Sequence, residues 1–188
     1  MLYISALVTF FILHIIPLNK NARKIACDSF GEKRYRLLFR LSILSCVAMG
    51  VYGWNDFPAI YFYEPSVFMK QIHLAIMLPT VYLWIAAEVP NNLKRYIRNP
   101  MLTGMKLWAL GHLLANGDLR SMILFISFLI FSVIAVIVSN KREVVAIKAT
   151  PLSYDVRVVM ASLLVYCTIA YFHGNLFGMP VAHYFAVS

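Results

Sequence analysis

Four histidines fall inside apolar runs of this chain, His14, His73, His112 and His173, and a fifth, His183, lies in the tail. An ionisable side chain in an apolar helix is costly and usually faces a bundle interior, where facing helices assemble metal and cofactor sites. Neutral imidazole is the commonest protein metal ligand. One such histidine reads equally well as an interhelical hydrogen bond; several in one small bundle favour a metal or heme site. Carboxylates do not accompany them. Of Asp28, Glu32, Asp56, Glu64, Glu88, Asp118, Glu143 and Asp155, only Asp118 is expected at depth. There is no ExxH repeat, which argues against a di-iron centre, and HExxH, GxSxG, P-loop and CxxCH patterns are absent. A histidine-rich, carboxylate-poor bundle fits heme iron, whose axial ligation takes one or two imidazoles. Cys27, Cys46 and Cys167 form no CxxC pair and read as free thiols.

The elements that must position these groups are membrane helices. The chain has 188 residues, of which 61% are hydrophobic and 13% charged. A soluble domain runs nearer 45–50% apolar and about 25% charged. Apolar runs stand at 2–18, 37–53, 67–87, 101–115, 119–139 and 156–173. They are continuous rather than alternating, which predicts helices and excludes a β-barrel. The expectation is an all-α fold, a polytopic bundle of six transmembrane helices forming a single domain over 1–188. The first run has no preceding charge and no cleavage site after it, so it reads as a retained helix.

Loop charge predicts the orientation. Lys20, Arg23, Lys24, Lys33, Arg34, Arg36 and Arg40 lie in the first connection, Lys94, Arg95 and Arg98 in the third, and Lys141, Arg142, Lys148 and Arg157 in the fifth. The second connection and the tail have none. The positive-inside rule puts the basic connections in the cytoplasm and both termini on the outer, periplasmic side. Trp54, Tyr61, Tyr63 and Tyr184 fall where an outer aromatic belt would sit. The net charge of +9 follows from this asymmetry, so nucleic acid is not implied; the expected surroundings are the lipid bilayer.

The fourth run is short and ends in the turn Asn116-Gly117-Asp118. Gly104, Trp108, Gly111 and Ala115 follow 4-3-4 spacing, a small-residue seam for close approach of another helix. Asp118 reads as the N-cap of the next helix or as paired with Arg120. The functional alternative makes Asn116 and Asp118 orient a site histidine from behind.

Arg98 to Leu119, RNPMLTGMKLWALGHLLANGDL, resembles the signature of the NnrU family of bacterial membrane proteins. GEKRYR at 31–36, HLAIMLP at 73–79 and HGNLFG at 173–178 follow in the family's order. The resemblance implies a multi-pass protein of the bacterial inner membrane, associated with nitrite and nitric oxide metabolism in denitrification. The family is also similar to the plant zeta-carotene isomerase, a heme b enzyme; carried over by motif, its axial histidines fall on His14 and His112. Two positions depart from these patterns. Asn99 stands where the family usually has histidine, and Ala109 where the isomerase has a cysteine linked to ligand switching. A likeness to RHPxxxG methyltransferases keeps Arg98, Pro100 and Gly104 without the acidic pair.

The first expectation is therefore a heme b protein with a redox partner, its iron on His14 and His112, with Trp108 beside them. On depth alone His73 competes as the partner of His112, so the first, third and fourth runs are expected to meet. The alternatives are a cis-trans isomerase of a lipid-soluble polyene and a structural subunit whose histidines bond between helices.

Overall fold

The structure, a computed structural model, describes residues 1–140, 148–177 and 181. Lys141, Arg142, Glu143, Gly178, His183 and Tyr184 lie outside the described residues. Each apolar run is helical: α1 Leu2–Leu18, α3 Glu32–Trp54, α4 Val67–Glu88, α5 Pro100–Ala115, α6 Leu119–Asn140 and α7 Leu152–Phe177. α3 and α7 begin before their apolar runs, because hydropathy marks the membrane whereas backbone hydrogen bonding continues through the polar first turns. A further helix, α2 Lys20–Phe30, occupies what the sequence predicts as a connection. Asn19 explains it. Its backbone is extended and ends α1, and its side chain accepts from the amides of Asn21 and Ala22, at 2.9 and 3.1 Å, as the N-cap of α2.

Among the described residues, four helices are long and apolar enough to cross a membrane: α3, α4, α6 and the Leu152–Asn175 part of α7. The bent pair α1–α2 makes a fifth if it counts as one span. α5 has 16 residues, about 24 Å of helix, which falls short of a hydrocarbon core of about 30 Å. Of the six predicted spans, length and composition thus support four or five.

The chain groups into two compact units, Met1–Ile60 and Tyr61–Ser188. In the first, the start of α1 packs on the end of α3. A Cβ on Gly53 would stand 2.6 Å from the Tyr3 amide nitrogen, so only glycine admits this approach. Tyr3 is buried against Trp54 and Phe57, ring centroids 5.5 and 5.2 Å away.

In the second unit α4 and α5 form an antiparallel pair with α6 against α5 and α7 against α4. Gly104 and Gly111 are the close-approach points on α5. A Cβ on Gly104 would meet the Trp84 ring at 2.7 Å, and one on Gly111 would meet Met77 Cε at 2.6 Å. The predicted seam is thus present for its small residues, whereas Trp108 turns toward α6, 4.9 Å from Phe125 and 5.3 Å from Phe128. The end of α6 is held by Arg98, which donates to the Ser139 and Asn140 carbonyls at 3.0 and 3.1 Å, a favourable place for a cation. The start of α7 is tied to the 3-10 turn Asn92–Arg95: Asn92 donates from its amide and side chain to Asp155, and Thr150 donates back to Asn92.

Candidate functional site

His73 on α4 and His112 on α5 meet across the glycine seam. Their ring centroids are 4.5 Å apart and the planes make 78°, an edge-to-face contact. The missing side chain of Gly111 makes room, since a Cβ there would lie 3.2 Å from His73 Nδ1. His73 is 3% exposed. His112 stacks on Phe125 at 4.7 Å and lies 5.1 Å from Trp108.

His112 Nδ1 is 2.9 Å from the Trp108 carbonyl oxygen. A carbonyl only accepts, so Nδ1 carries the proton and donates it. In the neutral ring the lone pair then sits on Nε2. This is the arrangement that fixes tautomer and orientation in metal-ligating histidines. His14 repeats it in the first unit, with Nδ1 donating to the Phe10 carbonyl at 2.8 Å and the ring between Phe10 and Phe39, at 4.1 and 5.5 Å. Of the predicted histidines, the structure brings His73 and His112 together within one unit.

Spacing limits what the pair can hold. Metal–nitrogen bonds of about 2 Å put trans nitrogens about 4 Å apart, with ring centroids roughly 6 Å apart. At 4.5 Å the two rings are not placed as trans ligands of a single iron. His112 would offer its Nε2 lone pair as a single ligand, with His73 beside it. Among the described residues, however, no group of three or more His, Cys, Asp or Glu is close enough to hold one metal ion.

The Asn116–Asp118 turn supports this end of the bundle through the backbone. Asn116 Nδ2 donates to the His112 carbonyl at 2.8 Å, not to its ring. Asp118 is 7% exposed and caps α6, accepting from the Ser121 amide at 3.1 Å and the Ser121 hydroxyl at 2.6 Å. The Arg120 guanidinium lies 3.4 Å from the same carboxylate. The capping and pairing roles expected of Asp118 are both present.

The segment after Tyr61 closes over this turn. Tyr61 and Asp118 form an antiparallel bridge, and Phe62 donates to the Gly117 carbonyl at 2.8 Å. A Cβ on Gly117 would collide with the Tyr63 carbonyl. The Tyr63 hydroxyl points at the Leu113 carbonyl and, at 3.1 Å, the Asn116 carbonyl. Burial first, and the Asp118 charge second, hold this phenol above its ordinary value. Tyr63 therefore serves the turn, a role its place in a predicted aromatic belt does not reveal. Phe125 was equally hidden, as one phenylalanine among thirteen. Ala109, where the isomerase resemblance asks for cysteine, is fully buried and offers only a methyl group.

The family model described as NnrU protein matches residues 2–181, nearly the whole chain. No curated protein and no solved structure matches.

Proposed function

The chain belongs to the NnrU family, and on that premise we propose that it is a heme b protein of the bacterial inner membrane, acting in nitrite and nitric oxide metabolism as a redox or assembly factor. The observation that carries the reading is the His112 ring, whose Nδ1–H is committed to the Trp108 carbonyl and whose Nε2 keeps its lone pair. Bound heme would supply one-electron or gas-ligand chemistry. His112 would hold the iron, Trp108 would orient the ring through its carbonyl, and Phe125 would keep water from its face. His14, the other carbonyl-bonded imidazole, is the ligand that the family resemblance adds. The basic connections lie in the cytoplasm and both termini in the periplasm under this proposal. The surroundings are the bilayer and a redox partner or lipid-soluble substrate.

The test is the absorption spectrum of the purified full chain, with His112→Ala and His14→Ala as companions. A Soret band lost in the His112 variant and retained by a folded His73→Ala variant supports the proposal. Impaired nitrite or nitric oxide reduction in a strain lacking the protein supports the metabolic assignment. One observation favours a second reading, a structural role for the histidines. The Nδ1–H groups of His14 and His112 donate to carbonyls of their own helices. On that reading the protein shows no Soret band.

A further inference from the structure

Helix α2 departs from α1 at 94°. α1 has 17 residues, about 25 Å of helix, so a chain turning through a right angle at its end runs along a membrane surface. The residues of α2 sort by face at 3.6 residues per turn. Ala22, Ile25, Ala26 and Phe30 share one side with Ser29 among them; Lys20 and Lys24 lie opposite, Arg23 stands at the boundary beside Phe30, and Asp28 lies at the other edge of the polar side. Ile25 is 67% exposed and Phe30 55% exposed. Arg23 also lies 3.9 Å from Glu32 in an exposed ion pair. α2 packs on α1 and α3 within the first unit, which leaves Ile25 and Phe30 uncovered by protein.

We propose that α2 is an in-plane anchor that binds anionic phospholipid. Ile25 and Phe30 enter the acyl boundary, and Lys20, Arg23 and Lys24 engage the headgroup phosphates. Apolar and basic residues on opposite faces of a short helix, joined at a right angle to an apolar helix, match this chemistry. Each basic side chain near an anionic surface contributes about a fivefold factor in binding.

The test uses the full chain in nanodiscs of phosphatidylcholine with or without phosphatidylglycerol. Single spin labels replace Lys24, Ile25 or Phe30 after Cys27, Cys46 and Cys167 are changed to serine. Labels at 25 and 30 should collide with oxygen at shallow depth, and the label at 24 with a water-soluble nickel complex. Labels at all three positions in water, all three deep in hydrocarbon, or 25 and 30 shielded from both agents would overturn the proposal. The last two outcomes mean a re-entrant segment and a protein-covered face. In a second measurement, K20Q/R23Q/K24Q should lower phosphatidylglycerol enrichment around the protein at least about fivefold; unchanged enrichment overturns the anionic-lipid assignment.

Discussion

The imidazoles of His73 and His112 touch edge to face at 4.5 Å, and they do so because Gly111 brings α5 against α4 where any side chain would intervene. The contact makes their roles separable. Under the heme proposal, His112→Gly should abolish the Soret band, and added imidazole should restore it by occupying the vacated volume. His73→Ala should keep the band and shift its position. Titrating both variants with imidazole and following the spectrum checks the distinction.

Gly104→Ala should destabilise the second unit by about 1–3 kcal/mol, the usual range for overpacking. The added methyl would meet the rigid Trp84 ring at 2.7 Å. Gly111→Ala meets the flexible end of Met77 and should cost less. Thermal unfolding of the two variants in one detergent gives the order.

Asp118→Asn should keep most of the stability and all of any cofactor, because asparagine caps as well as aspartate does. Asp118→Ala should cost about 1–2 kcal/mol more than Asp118→Asn for the lost cap, since both variants leave Arg120 (22% side-chain exposure) without its carboxylate. Unfolding midpoints, read beside cofactor content, check both. A folded D118N protein that loses cofactor would restore the orienting role.

Tyr63→Phe should cost about 1 kcal/mol for its hydroxyl's hydrogen bonding, and the difference should depend on pH. Burial and the Asp118 charge raise the phenol in the folded protein, so folding favours its protonated form. Its contribution is complete below the ordinary phenol value of about 10 and falls away as pH rises through the raised value. Wild type should therefore lose its advantage over the phenylalanine variant at alkaline pH. Melting curves from neutral pH upward test this.

Gly117→Ala should be the most disruptive change in the turn. Its Cβ would meet the Tyr63 carbonyl, which is backbone and cannot swing aside, and the Phe62 to Gly117 hydrogen bond would open. Faster proteolysis between 61 and 66 than in wild type is the expected readout.

The amino-acid sequence by itself determined the helices, because a long apolar run must pair its backbone groups internally. Spacing alone also made Gly104 and Gly111 contact points, and made Asp118 a cap. Tertiary structure alone decided which histidines meet. His14, His73 and His112 each lie on an apolar helix, and hydropathy says nothing about which face turns toward which neighbour. The His112 tautomer was hidden for a related reason, since it depends on a side-chain rotamer reaching the Trp108 carbonyl. Helix α2 was missed because charge dominates its composition, and apolar runs detect only helices that the membrane surrounds. The role of Tyr63 in the turn was not legible because it lies in a contact across fifty residues of chain, which local pattern does not encode.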